Sequence, residues 1–186
     1  MVEAKQTKKM SPYLIVLLSL VGIIFAGTFL LSLPISHLNG EWGKFLDSLF
    51  ISTSATCVTG LSVYTNGIAG ELTIFGQVVM LLMIQIGGLG FITILTFVIS
   101  LFIRRLKFKD RLFLSQAINS TNIADVGKFA IRVVIIVVIA ETLGFLLGLP
   151  VFLNIEQYST GEALWKCLFT SVSAFNNAGF DILGNR

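Results

Sequence analysis

Histidine and charged side chains are scarce in this sequence of 186 residues. His37 is the only histidine, and Asp, Glu, Lys and Arg together make up 12% of the chain. A single imidazole provides almost nothing for histidine-based catalysis or for a histidine metal site. The composition therefore argues against an enzyme that depends on either chemistry.

Cysteine is equally rare. Cys57 and Cys167 are the only two, too few for a disulfide framework, and their spacing is not that of a zinc site. The net charge of +3 is small, and its uneven distribution along the chain explains it better than a nucleic-acid partner does. We expect no directly bound cofactor, no structural metal and no nucleic acid.

Apolar residues dominate instead. They make up 55% of the chain, and the mean hydropathy is +0.89, which is too high for an ordinary soluble domain of this size. The run over 12–33 is longer than the apolar part of a signal peptide, and no small-residue cleavage site follows it. The composition predicts an all-α integral membrane protein whose first transmembrane helix is retained.

Basic residues indicate how the chain crosses the membrane. Ten of the thirteen lie in three clusters, near residues 5–9, 104–111 and 128–132. By the positive-inside rule these clusters share the cytoplasmic side. We therefore expect a multi-pass protein of the cell membrane with a cytoplasmic N-terminus, in contact with lipid head groups.

A duplication organises the chain. The run Phe-Leu-Leu-Ser-Leu-Pro at 29–34 returns as Phe-Leu-Leu-Gly-Leu-Pro at 145–150, and the Ser/Thr-rich run at 49–55 returns at 168–174. Each copy then continues into a stretch that contains glycine. The repeated unit is an apolar helix, a short polar helix and a glycine loop, one unit being complete and the other incomplete.

The predicted segments follow from this repeat. The first unit, 12–106, and the incomplete second unit, 129–186, flank a cytoplasmic linker at 107–128 that carries a short amphipathic helix near 111–117. Residues 1–11 form a cytoplasmic terminus. Within the units we predict helices over 12–33, 72–103 and 129–149, short helices over 45–56 and 164–174, and loops over 57–62 and 175–180.

The short helices are too short to span a bilayer. Twelve helical residues reach about 18 Å, whereas the hydrocarbon core is roughly 30 Å thick. A helix that enters and returns on the same side must place its loop where water or protein satisfies the main chain. Main-chain carbonyls of such a loop can replace the water shell of a cation, and glycine permits the backbone angles required.

The repeated loops resemble those of the Trk/Ktr/HKT family of potassium transporters. Ser-Ala-Thr-Cys-Val-Thr-Gly-Leu at 54–61 is similar to the family's first filter loop, and Phe-Asn-Asn-Ala-Gly-Phe at 175–180 to its second. With Gly-Gly-Leu-Gly-Phe at 87–91, the resemblance covers nearly the whole chain and is closest to the bacterial Ktr membrane subunit. It implies potassium-channel-like pore units, each a helix, pore helix, filter loop and helix.

The resemblance implies roles for particular residues. Main-chain oxygens would bind K⁺ at Val58, Thr59, Gly60, Asn177, Ala178 and Gly179. Neighbouring residues would support the filter, namely Thr56, Cys57, Leu61, Asn176 and Phe180. Glycine at the two filter positions goes with potassium selectivity in the family, whereas serine at the first position goes with sodium in some plant members.

The resemblance also implies partners. The family carries four pore units per polypeptide, so the two present here call for a longer subunit or for dimerisation, and full-length subunits are expected as homodimers. A cytoplasmic ring of regulatory subunits would bind nucleotide, which the chain itself would not. Dependence on Na⁺ is a further property that the sequence leaves open.

Several residues support two interpretations. Gly87, Gly88 and Gly90 fit either a gating hinge or close helix packing through small residues. Glu141 lies within a predicted crossing, where it is either a functional acid or a hydrogen-bonded structural one. Glu141 lies nine residues before Pro150, and the residue nine before Pro34 in the first unit is Phe25. The acid is therefore not repeated in the first unit. Acids near the outer mouth either attract cations or are solvated loop charges: Asp47, Glu71, Glu156 and Asp181.

The sequence therefore predicts potassium translocation, with three rivals. The first is a cation transporter that prefers sodium, and the second is a non-conducting membrane scaffold or fragment. The third, an intramembrane serine protease, lacks a His or Lys base at membrane depth beside its serines.

Overall fold

The computed structural model describes residues 12–90 and 123–184, which form helices joined by loops and contain no β-strand. Expectations for 1–11, 91–103, the linker up to residue 122 and the helix near 111–117 lie outside the described residues. The all-α prediction is confirmed for the described parts. In chain order the α-helices are α1 Pro12–Ser32, α2 Phe45–Thr56, α3 Gly67–Glu71, α4 Ile74–Leu89, α5 Ile123–Leu153 and α6 Thr160–Phe175.

α1 is an apolar helix that ends at a proline. Its 21 residues carry no charged side chain, and the Thr28 hydroxyl donates to the Ile24 main-chain oxygen at 2.7 Å. Such a bond satisfies a hydroxyl within an apolar helix. Leu33 is extended, with φ −65° and ψ 145°, because proline disfavours helical angles in the preceding residue. The helix therefore stops, and the 3-10 turn Pro34–Ser36 follows.

α2 is a short helix anchored on α1. It has 12 residues and buries Ser48, Ile51, Ser52 and Ala55. The Ser52 hydroxyl donates to the Ile24 main-chain oxygen at 2.6 Å. That bond joins two helices at a point where both backbones lie close together, because Gly27 adds no side chain beside the Ser52 hydroxyl.

α4 is shorter than the helix predicted over 72–103. It begins at Ile74, where the Thr73 hydroxyl accepts a hydrogen bond from the Gly76 amide at 3.3 Å. It ends at Leu89, because Gly90 adopts φ +75°, outside the helical region. The structure therefore places a helix end at Gly90, inside the range predicted as one long helix.

Both helices of the second unit are longer than predicted. α5 has 31 residues and runs through Pro150, whereas the prediction ended at 149. Pro150 has no main-chain N–H, so it removes one hydrogen bond from the last turns of α5, and the helix continues for three residues to Leu153. α6 begins at Thr160 rather than 164, because Ser159 and Glu162 form a capping box ahead of the apolar stretch.

The core lies between the two units. α4 contributes Met80 and Ile84, which are fully buried together with Leu31 of α1 and Ile51 of α2. Phe169 of α6 is also fully buried in this cluster. The second unit is thus packed onto the first through α4 and α6.

The opposite faces of the helices are apolar and exposed. Within the described residues, the segment Ile131–Leu153 of α5 is long and apolar enough to cross a membrane, while Leu17–Ser32 and Ile74–Leu89 are shorter apolar segments. Leu147 of α5 is 79% exposed and Ile136 is 64% exposed. An apolar face of this length is the kind of surface that lipid covers.

Candidate functional site: two glycine loops

The first loop turns sharply after α2. Val58 has φ +56° and Gly60 has φ +76°, both in the left-handed region. The Thr59 amide donates to the Ser54 main-chain oxygen at 2.9 Å. The Ser54 hydroxyl donates to the Leu61 main-chain oxygen at 2.7 Å and accepts from the Leu61 amide at 3.0 Å. One serine therefore fixes both ends of the turn.

The second loop has the same backbone shape after α6. Asn177 has φ +55° and Gly179 has φ +71°. The Ala178 amide donates to the Ser173 main-chain oxygen at 2.8 Å, and the Ser173 hydroxyl donates to the Phe180 main-chain oxygen at 2.6 Å. A left-handed, non-glycine residue costs energy, so its recurrence at both loops indicates that the surrounding contacts impose this shape.

Main-chain oxygens along both loops accept no hydrogen bond from any residue in 12–90 or 123–184. They include the six oxygens of residues 58–60 and 177–179, namely Val58, Thr59, Gly60, Asn177, Ala178 and Gly179. The next oxygens along the chain, at Leu61 and Phe180, are each bonded by a serine. Main-chain carbonyls usually have partners, so six without one form a group that can bind a cation or water.

The two loops meet at their glycines. A Cβ placed on Gly60 would lie 2.6 Å from the Ala178 main-chain oxygen and 3.3 Å from the Gly179 Cα. A Cβ on Gly179 would lie 3.6 Å from the Gly60 Cα. The close approach therefore requires glycine at residue 60, where the space excludes a side chain and the positive φ disfavours one.

The helix dipoles favour a cation at these loops. α2 ends at Thr56 and α6 at Phe175, so each loop follows directly from a helix C-terminus. The C-terminal end of a helix carries a partial negative charge. Both loops are thus placed where the electrostatic field attracts positive ions.

Two glycines of α4 receive the two loops. A Cβ on Gly87 would collide with the Thr56 main-chain oxygen, and a Cβ on Gly88 would collide with the Asn176 side chain. Gly90 has no neighbour of this kind within 4 Å among residues 12–90 and 123–184, and it ends the helix. Close packing, one of the two interpretations of this glycine group, is therefore what Gly87 and Gly88 show in this structure.

Asn176 connects the second loop to two other helices. The two N–H bonds of its side-chain amide are shared among three acceptors: Gln85 Oε1 of α4 at 3.1 Å, Glu141 Oε1 of α5 at 3.2 Å and the Val172 main-chain oxygen at 2.9 Å. Glu141 is thus bonded to a polar atom of the loop, in agreement with its interpretation as a hydrogen-bonded acid. Gln85 was not singled out from the sequence, since the two glutamines of this apolar helix have no counterpart in the repeat.

The pairing of Glu141 with Phe25 is wrong in the structure. The Ser171 hydroxyl donates to the Glu141 main-chain oxygen at 2.6 Å, whereas the matching Ser52 hydroxyl donates to Ile24. Glu141 therefore occupies the place of Ile24. The alignment based on the two prolines was wrong by one residue. The prolines are not structurally equivalent, because Pro150 lies inside α5 whereas Pro34 follows the end of α1.

A cavity of about 610 Å³ opens beside the two loops. Gly60 and Gly179 line it together with Asp181, Ser62 and Tyr64. Asp181 is exposed, and its carboxylate accepts a hydrogen bond from the Leu183 amide at 3.0 Å. Of the four acids assigned to the outer mouth, Asp181 is the one that lines this cavity.

Asp47 and Glu71 lie instead beside Tyr64, where a second cavity of about 360 Å³ also includes His37. Burial raises the pKa of Tyr64 to about 12, and the negative charges of Asp47 and Glu71 add to this effect. Glu156 is exposed in the connection before α6. Across the described residues, no three His, Cys, Asp or Glu side chains are arranged to hold a metal ion.

The serines that brace the loops were missed as site residues. Ser54 and Ser173 fix the turns, while Ser52 and Ser171 bond α2 and α6 to the preceding long helices. Their signal was present in the sequence as the repeated Ser-x-Ser-Ala. Its meaning lies in bonds to residues up to 30 positions away, which the repeat does not specify.

Comparison with known proteins assigns the chain to a family. The TrkH family, described as a cation transport protein, matches residues 3–185. The chain belongs to this family of membrane transport proteins, and it is a transporter sequence rather than an enzyme. The resemblance to Trk/Ktr potassium transporters is confirmed.

Three relatives show how much of such a protein is present. The potassium/sodium uptake protein NtpJ of Enterococcus hirae is 34% identical over 96% of this chain and 39% of its own length. The Ktr system potassium uptake protein B of Bacillus subtilis is 37% identical over 86% of this chain and 34% of its own length. That of Vibrio alginolyticus is 31% identical, over 92% and 36%. The chain thus spans less than half the length of these relatives.

Proposed function

We propose that this chain forms part of a pore that carries K⁺ across the cell membrane, with the ions bound by main-chain oxygens of the two glycine loops. The observation that carries the proposal is the set of six loop oxygens without a hydrogen-bond donor among the described residues. Oxygens of this kind can replace the water shell of a cation at little net cost. The names of the relatives, which are uptake proteins for potassium or for potassium and sodium, support the choice of ion.

The two helix-loop units are proposed as two pore units of potassium-channel type. Their support is the shared geometry: nearly equal backbone angles at Val58 and Asn177, nearly equal glycine angles at Gly60 and Gly179, and equivalent serine bonds. A ring needs more than two such loops. We propose that further units complete it, because the relatives are more than twice as long as this chain.

The wider arrangement is proposed from the charges and the family. The chain would cross the membrane several times with its N-terminus in the cytoplasm, since the basic clusters belong on that side. Full-length subunits would form a homodimer, and a cytoplasmic ring of nucleotide-binding subunits would dock near residues 104–111. If K⁺ uptake depends on Na⁺, the Na⁺ would take part in the transport cycle and would not be a permanently bound cofactor.

The test uses the full natural polypeptide that contains this chain, in a bacterial strain that lacks its own potassium uptake. Gly60→Ser places a side chain at φ +76° against the Ala178 oxygen. We expect the ratio of K⁺ to Na⁺ uptake to fall at least about tenfold, which corresponds to about 1.4 kcal/mol of discrimination.

Gly161→Ser is the matched control. Gly161 is exposed, and apart from its chain neighbours and the backbone of its own helix no atom of the described residues lies within 4 Å of the point that a Cβ would occupy, so the same chemical change should leave the ratio unaltered. An unchanged ratio in Gly60→Ser, at normal expression, would exclude the loop as the selective element. Absence of cation flux in the parent would favour a non-conducting scaffold, and faster uptake of Na⁺ than of K⁺ by the parent would favour the sodium-preferring alternative.

A further inference from the structure

The side chain of Asn176 lies at a junction of three helices. It is 8% exposed and belongs to the residue that follows α6. Its amide nitrogen is within 3.2 Å of Gln85 Oε1 on α4 and of Glu141 Oε1 on α5. The Val172 main-chain oxygen of α6 is a third acceptor, at 2.9 Å, so the two N–H bonds of this buried amide are held by acceptors on three helices, which fixes its position.

α4 supports both loops at consecutive residues. Gly87 receives the Thr56 main-chain oxygen at the start of the first loop, and Gly88 receives the Asn176 side chain at the start of the second. Neighbouring residues of a helix are about 1.5 Å apart along its axis. The starts of the two loops are therefore held at a fixed separation along α4. Gln85 then holds Asn176 against that element.

A second polar contact joins the same helices about two turns away. The Trp165 indole nitrogen donates to Gln77 Oε1 at 2.6 Å, and the Gln77 amide donates to the Leu72 main-chain oxygen at 3.0 Å. Gln77 and Gln85 are eight residues apart, about 12 Å along α4. α4 and α6 are therefore bonded at two heights, which resists both sliding and rotation.

We propose that Asn176, held by Gln85 and Glu141, is a positioning residue that sets the distance between the two filter loops and thereby the ion preference of the pore. This inference rests on the proposed function. Asn176 acts through its side chain on loop geometry, not as an ion ligand. Glu141 acts as a hydrogen-bond acceptor for Asn176, so the acid is needed for its oxygen rather than for its charge.

The decisive variants change the donor without changing the size. Asn176→Asp removes the donor and places a second carboxylate beside Glu141. We expect the ratio of K⁺ to Na⁺ uptake to fall at least about tenfold in the full natural polypeptide. Combining it with Glu141→Gln reverses the bond, since the introduced glutamine amide donates to the introduced carboxylate. The double variant should recover the ratio to within about threefold of the parent.

Controls separate positioning from folding. Asn154→Asp makes the same change at an exposed residue and should leave the ratio unaltered. Glu141→Leu should lower the ratio more than Glu141→Gln does, because only glutamine retains an acceptor. The melting temperature and the expressed amount are measured for every variant, and ratios are compared only among variants that fold.

The outcomes are distinct for the two proposals. If Gly60→Ser lowers the ratio while a folded Asn176→Asp does not, the positioning role is overturned and the pore proposal remains. A folded double variant that stays as unselective as Asn176→Asp alone also overturns the positioning role. If neither Gly60→Ser nor Asn176→Asp alters the ratio, the pore proposal itself fails.

Discussion

The hydroxyl of Ser171 donates a 2.6 Å hydrogen bond to the main-chain oxygen of Glu141, which fastens α6 to α5. Ser52 makes the equivalent bond to Ile24 between α2 and α1. In both units a glycine, Gly144 or Gly27, lies beside the serine and permits the approach. Each short helix is therefore attached to its long helix by a hydroxyl in an apolar setting, where water cannot replace the bond.

Removing these hydroxyls should weaken each attachment separately. Ser171→Ala and Ser52→Ala should each lower the free energy of unfolding by about 0.5–1.5 kcal/mol, the usual range for a hydrogen bond between helices. Because the two bonds lie in different units, their effects should add. Thermal unfolding of the purified protein in detergent measures this, with exposed Thr160→Ala as the control. Equal stability of all variants would contradict the attachment.

Substitution of Gly87 distinguishes packing from a hinge. Gly87→Ala drives a methyl group into the Thr56 main-chain oxygen, and we expect a loss of about 1–3 kcal/mol of stability from overpacking. Gly22→Ala in α1 is the control, since outside its own helix no atom of the described residues lies within 4 Å of the added Cβ, and alanine favours a helix. A hinge would give the opposite pattern, namely unchanged stability in Gly87→Ala with altered rates of cation uptake.

The phenol of Tyr64 should ionise at an unusually high pH. Its folded pKa of about 12 lies above the ordinary value of 10.0, so the folded protein is more stable with the phenol neutral than with the phenol ionised. This advantage is complete below pH 10 and is lost as the pH rises through about 12. Tyrosinate absorbance during an alkaline titration, compared between the parent and Tyr64→Phe, isolates this group.

The cause of the Tyr64 shift can be tested in the same titration. Burial is the largest contribution, and the charges of Asp47 and Glu71 are smaller ones. Asp47→Asn combined with Glu71→Gln should lower the pKa only part of the way towards the ordinary value. A full return to that value would show that the charges dominate over burial. Tyr64→Phe itself should cost little stability, because the buried hydroxyl has no partner among the described residues.

Local signals were sufficient for several elements and not for others. The start of α6 was placed four residues late, since the Ser159–Glu162 capping box precedes the apolar stretch. The end of α4 was missed because glycine inside an apolar run signals either packing or termination. Gly87 and Gly88 lie within the helix, whereas Gly90, two residues on, ends it with φ +75°. Sequence spacing does not distinguish these cases, because the difference depends on what each glycine contacts.

The sequence by itself determined the class of protein: its apolar composition required a lipid environment, and its repeat required two similar helix-loop units. These properties depend on local composition and periodicity, which are written in the chain. Only the tertiary structure decided that Gly60 faces Gly179, that Gly87 and Gly88 seat the two loops, and that Asn176 bonds Gln85 and Glu141. Those contacts join residues that are distant in the chain, 91 positions apart for Asn176 and Gln85. Their geometry is set by how helices pack rather than by any neighbouring residues.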